Sequence, residues 1–153
     1  MRHILKTSLI IVALSFCGCT NSQPSSTKTT TYSSSSSISS LNYNDVKDKM
    51  IFWSNIFGIN SDAYYVYIFS KSCNHCANLK PFILEKAVER GDIYFVEANE
   101  EIVFVKDVST TIGLNSIEGL GIIGYPTLLK IESKVLTKNL AGESLIRSEL
   151  SIE

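Results

Sequence analysis

Histidine occurs twice in the 153 residues, proline three times and tryptophan once, and nowhere does an apolar run approach the roughly 20 residues of a membrane-spanning helix. Neither sign of charge is in excess, with 14 Lys and Arg against 15 Asp and Glu. That balance excludes a broad basic groove for nucleic acid. With 44% hydrophobic and 19% charged residues the chain is neither a disordered tail nor collagen-like, and its length suits about one domain. What it does hold is four cysteines, at positions 17, 19, 73 and 76. A two-disulfide scaffold is the first thought for such a count, but the cysteines fall into two tight pairs with very different surroundings.

The first pair closes an address segment. Arg2, His3 and Lys6 precede an apolar stretch from Leu9 to Phe16, and Cys17-Gly18-Cys19 follows. Basic, then apolar, then small is the order of a secretory signal peptide over residues 1–18. Phe16-Cys17-Gly18-Cys19 resembles a bacterial lipoprotein signal, which implies cleavage after Gly18 and lipidation of Cys19. The match departs from the usual pattern at Phe16 and Cys17. Two or more acyl chains would hold the protein on a membrane, since one binds only marginally.

Residues 20–40 contain ten Ser and five Thr among 21 residues. Such a segment buries too little apolar surface to offset its chain entropy, so 19–40 reads as the lipidated cysteine and a flexible tether, its ends roughly 25 Å apart. Removing residues 1–18 takes away Arg2 and Lys6 and no acid, which leaves 12 basic and 15 acidic residues and a net charge of −3. Cys73 and Cys76 are then the only free thiols.

From Leu41 the composition becomes that of a packed domain, 41–153. Val46, Met50, Trp53 and Phe57 stand near helical spacing, which predicts a helix over Asp45–Phe57, capped by Asn44 or Asp45 and ended by Gly58. Tyr64–Phe69 and Ile93–Val96 have the composition of buried strands. Ala77–Arg90 reads as a helix ended by Gly91. In Glu100–Leu114, Ile102, Val103 and Val105 suit a strand, whereas length and position favour a helix. Leu128–Ile131 and Val135–Leu140 read as a hairpin, and Glu143–Leu150 as a terminal helix. The expected order α, β, α, β, α, β, β, α implies an α/β fold, a sheet with helices on both faces.

Cys73 and Cys76 open a helix directly after a strand. Unpaired N–H groups and the partial positive charge of the helix N-terminus stabilise a thiolate there. Cys73 is the expected nucleophile, attacking a substrate disulfide to form a mixed disulfide, and Cys76, one turn on and less exposed, resolves it. Structural zinc would need four ligands, and the mature chain adds only His75 to the two thiols. A purely structural disulfide closing so short a loop would constrain the unfolded chain very little. Two unrelated core cysteines are the third alternative.

These residues resemble the thioredoxin superfamily. Pro81 stands five residues after Cys76, where that family has a proline in its active-site helix. Gly124-Tyr125-Pro126-Thr127 resembles its cis-proline segment, and Gly142, sixteen residues after Pro126, matches a glycine that follows its hairpin. The resemblance covers about Tyr64–Glu153. It implies a thioredoxin-like fold, a central mixed sheet flanked by helices, with Tyr125 and Pro126 facing the cysteines as substrate contacts. A cis X–Pro bond is uncommon and marks a tight constraint.

The chain departs from cytosolic reductants of the family, with Ser72 before the first cysteine and Asn74-His75 between the two. Tyr67 replaces the family's buried acid, six residues before Cys73, which argues against efficient reductant behaviour. A histidine before the second cysteine also occurs in disulfide isomerases and disulfide-forming oxidases, where it stabilises the thiolate and makes the disulfide more oxidising. Lys71 adds positive charge nearby. Pro126 lies 50 positions beyond Cys76, somewhat more than in a minimal thioredoxin, and the extra length falls in 100–119.

The resulting expectation is a monomeric, lipid-anchored disulfide oxidoreductase on the extracytoplasmic face of a bacterial membrane, Gram-positive for preference. It would act on protein or peptide thiols and disulfides with an unidentified redox partner, without cofactor, metal or nucleic acid. The oxidant or isomerase direction is favoured. The alternatives are an extracytoplasmic reductant and a thioredoxin-like accessory lipoprotein for bacteriocin or peptide export.

Overall fold

The computed structural model describes residues 41–152. The signal peptide at 1–18, Cys17, Cys19 and the tether at 19–40 lie outside the described residues. Four strands, β1 (Ala63–Phe69), β2 (Ile93–Glu97), β3 (Thr127–Glu132) and β4 (Val135–Ala141), form one sheet in the order β2-β1-β3-β4. β1 pairs in parallel with β2 and antiparallel with β3, and β3 pairs antiparallel with β4. Helix α1 (Asn74–Arg90) joins β1 to β2, and α2 (Glu143–Leu150) ends the domain.

The strands form where the apolar composition predicts them, and β1 explains why its run is uninterrupted. Successive side chains alternate between faces, and both faces are buried. Tyr65, Tyr67 and Phe69 enter one core with Leu79, Ile83 and Leu84 of α1 and Ile146 and Leu150 of α2. Tyr64, Val66 and Ile68 enter the other with Trp53, Ile56, Ile102, Leu120 and Ile122. The mixed sheet flanked by helices is as expected, although both α-helices share the first face. Short 3₁₀ turns and the 98–125 segment cover the second.

Two helix expectations are corrected. Asp45–Phe57 is not one helix but two 3₁₀ pieces, Tyr43–Lys49 and Trp53–Asn55, with extended chain between them. At Met50 the backbone leaves helical geometry to bridge Phe95, and the Ile51 N–H donates to the Phe95 carbonyl on the open edge of β2 at 2.8 Å. The apparent helical stripe therefore serves two cores, Val46 on one face of the sheet and Trp53 on the other. The cap is Asn42 rather than Asn44 or Asp45, and Asp45 closes a capping box by accepting the Asn42 N–H at 2.8 Å.

Glu100–Leu114 is likewise no helix. Phe104 bridges Ile122 in parallel, and only Val108–Thr111 makes a 3₁₀ turn, capped by Asp107. Buried Asn139 of β4 holds this segment, its Nδ2 donating to Thr111 Oγ1 at 3.0 Å and to the Gly121 carbonyl at 2.9 Å. The Gly113 N–H donates to the Leu136 carbonyl and the Leu136 N–H to the Leu114 carbonyl, which extends the outer edge of the sheet.

The hairpin and α2 form as expected. Ser133 and Lys134 both take positive φ, 51° and 65°, the backbone of a tight two-residue turn whose twist suits paired strands. Among the described residues no helix is long and apolar enough to cross a membrane.

Candidate active site

Strand β1 delivers Phe69 into the core, and Ser70-Lys71-Ser72 turn the chain into α1. The Cys73 N–H donates to the Ser70 carbonyl at 3.2 Å, and Cys73 is the N-cap, with φ −90° and ψ 117°. A cap side chain normally uses an oxygen to accept an N–H of the first turn. Here Cys73 Sγ takes that place, accepting the Cys76 N–H at 3.1 Å. α1 begins at Asn74, a turn before Ala77, so both cysteines lie at its start. Pro81 lies inside it and Gly91 ends it at φ 74°.

Both cysteines are free thiols in different settings. Cys73 is partly exposed, whereas Cys76 is 2% exposed in the core with Tyr67, Leu79 and Phe95. Burial pushes the Cys76 thiol well above its ordinary pKa, and its contact with Cys73 adds to that, partly opposed by the Ser70 backbone and Tyr67. An accessible sulfur on a helix N-terminus above a buried, protonated one is the asymmetry an attacking and resolving pair needs.

The Tyr125–Pro126 peptide bond is cis, as expected. Cys73 Sγ lies 3.6 Å from the Tyr125 carbonyl, so this segment faces the accessible thiol. Pro126 is buried and Tyr125 half-buried. The two landmarks at 126 and 142 also meet, because the Gly142 N–H donates to the Pro126 carbonyl at 2.8 Å. Gly142 holds φ +96°, a conformation that favours glycine.

His75 is exposed on the first turn of α1. Lys71 does not reach toward the thiols; its Nζ pairs with Glu97 Oε1 at 2.8 Å, at the end of β2. Three groups near the site were not singled out from sequence. Tyr43 stacks on Phe69 at 4.1 Å between ring centres, and Lys80 Nζ lies 5.1 Å from the Tyr43 ring centre. Phe104, 58% exposed, sets its ring edge-on to Tyr125 at 5.5 Å, so the longer 100–119 segment borders the cis-proline segment. Phe104 belongs to a segment read as a helix and Tyr43 precedes one, so their neighbours across the sheet could not be inferred. Among the described residues no cluster of three or more His, Cys, Asp or Glu could hold a metal.

No protein-family model matches the chain, and no curated protein matches it. Solved structures with a similar chain path include a thioredoxin of Plasmodium falciparum, at 18% identity and TM-score 0.46, covering 67% of this chain and 96% of that one. Chlamydomonas reinhardtii thioredoxin f2 is 15% identical at TM-score 0.44, covering 67% and 90%. Mitochondrial thioredoxin 3 of Saccharomyces cerevisiae, in its oxidised form, is 13% identical at TM-score 0.46, covering 68% and 92%. The β2-β1-β3-β4 sheet, the Cys73/Cys76 pair opening α1 and the cis-proline opposite it together make the described domain a thioredoxin-like fold.

Proposed function

We propose that the protein is a thiol–disulfide oxidoreductase acting on protein or peptide thiols and disulfides. The observation that carries this reading is Cys73 Sγ seated as the cap of α1, 3.1 Å from the Cys76 N–H, above a nearly buried Cys76. In one direction the Cys73 thiolate attacks a substrate disulfide. A Cys73–substrate S–S bond forms, the substrate S–S bond breaks, and the leaving sulfur takes a proton. The Cys76 thiolate then attacks Cys73 Sγ, forming the Cys73–Cys76 disulfide and releasing the second substrate thiol. The substrate gains two electrons and the protein loses two.

The reverse sequence oxidises a substrate dithiol. His75 on the first turn of α1 and Tyr67 in place of an acid support the oxidant or isomerase direction. Tyr125 and Pro126 dock the substrate chain beside Cys73. The lipoprotein-like segment and Ser/Thr-rich stretch support anchoring through Cys19 on the extracytoplasmic face of a bacterial membrane, with the domain acting as a monomer.

Mixing the oxidised protein with a reduced peptide tests the activity. Disulfide exchange is expected, and reduced Cys76→Ala should accumulate a stable mixed disulfide when given a disulfide-bonded peptide; absence of both overturns the reading. A reduction potential near about −120 mV supports the oxidant, and one near about −270 mV assigns the reductant instead. Exposed Phe104 beside Tyr125 also fits a second reading, a thioredoxin-like accessory lipoprotein that binds exported peptides. Full biological function in a Cys73→Ser, Cys76→Ser double variant would favour it.

A further inference from the structure

Tyr67 is fully buried in β1, and its hydroxyl has no partner of ordinary hydrogen-bond geometry among the described residues. A buried hydroxyl without a partner is a liability that phenylalanine of the same shape would avoid. The ring is fixed in place, stacked at 5.9 Å on Phe69 and edge-on at 5.9 Å to Phe95. It shares one core with Cys76, and Cys73 packs against that core. The Tyr67–Cys76 contact is looser than a formed hydrogen bond, yet each group shifts the other's ionisation.

We propose that the Tyr67 hydroxyl, idle while Cys76 is a thiol, donates a hydrogen bond to the Cys76 sulfur when it becomes a thiolate, making Tyr67 a catalytic residue of the resolving step. This inference rests on the exchange reaction proposed above. Burial, with the nearby thiols and Tyr43, pushes the Tyr67 pKa far up, so the phenol stays protonated and serves as a donor rather than a base. The Cys76 proton leaves instead to water in an adjoining cleft of about 350 Å³, lined by Tyr43, Ser70, Lys80 and Cys76 itself. The thiolate then attacks Cys73 Sγ, the Cys73–substrate bond breaks, and the departing sulfur takes a proton from solvent. In the reverse reaction the same hydrogen bond receives the sulfur expelled from the Cys73–Cys76 disulfide.

The other groups facing Cys76 act differently. Cys73 shares its hydrogen-bond environment, Tyr43 bears on it from the 43–49 turn, Lys80 stands against the Tyr43 ring, and Lys71 is neutralised by Glu97. His75, on the first turn of α1, is exposed.

Reaction of the reduced full chain, with Cys17 and Cys19 replaced by Ser, with an aromatic disulfide that releases a coloured thiol separates the two steps. The first release reports attack by Cys73 and the second reports attack by Cys76. In Tyr67→Phe the first release should keep the wild-type rate and the protein its wild-type melting profile. The second should slow roughly tenfold or more, the scale of a lost hydrogen bond to a charged group, with its pH midpoint moved upward. A second release matching wild type in rate and pH midpoint overturns the role of Tyr67. A wild-type protein without any second release instead contradicts the exchange reaction itself.

Discussion

On one face of the sheet, α1 and α2 lay regular apolar stripes over Tyr65, Tyr67, Phe95 and Leu128. On the other, the 98–125 segment covers Tyr64, Val66 and Leu129 with little regular structure, held by the Phe104–Ile122 bridge and by Asn139. The first face is stabilised mainly by close-packed apolar burial. The second adds to its own apolar core a close backbone approach and a few directional polar contacts. The dithiol stands on the first, the cis Tyr125–Pro126 bond lies beside Cys73, and Tyr125 packs against both cores.

Four substitutions or conditions probe this difference. Leu84→Ala, at a fully buried position of α1, should destabilise the domain by about 2–5 kcal/mol in chemical denaturation. Gly121→Ala should follow at about 1–3 kcal/mol, because a Cβ would sit 2.4 Å from Val105 Cγ1 and 3.1 Å from the Val103 carbonyl oxygen. If Gly121→Ala left stability unchanged, the close approach would not be what holds the second face. Asn139→Ala should destabilise by about 1 kcal/mol, since relief of its unpartnered Oδ1 offsets part of two lost hydrogen bonds. Amide exchange should accelerate around 108–122 while α1 stays protected; faster exchange throughout α1 would show the faces to be one unit.

The smallest effect belongs to the alkaline limb of stability. Because the folded state holds the Cys76 pKa above its unfolded value, the contribution is complete below about pH 8.5 and fades as pH rises toward the folded value. Melting of the reduced protein should fall over that range, and Cys76→Ala should flatten the fall. An equally steep decline in the variant would assign it to the buried tyrosines instead.

What was legible in sequence follows the same division. The strands, α1 from its first turn onward, α2 and the hairpin express short-range patterns, whereas the approach of the Tyr125–Pro126 segment to Cys73 was implied only by the family resemblance. Residues 45–57 and 100–114 misled because their apolar residues supply contacts to different cores or to a strand edge, so spacing along the chain did not report one helical face. Phe104 was hidden for that reason, and Tyr43 stands just before the first of these segments. The lone Asn139 carried no local signal, as its partners Thr111 and Gly121 are 28 and 18 residues away.

The most direct test of an exposed attacking thiol above a buried resolving one is the alkylation of the fully reduced protein at neutral pH, followed residue by residue with mass spectrometry. Cys73 should be modified first and Cys76 many times more slowly. Equal rates, or earlier modification of Cys76, would contradict the assignment of roles to the pair.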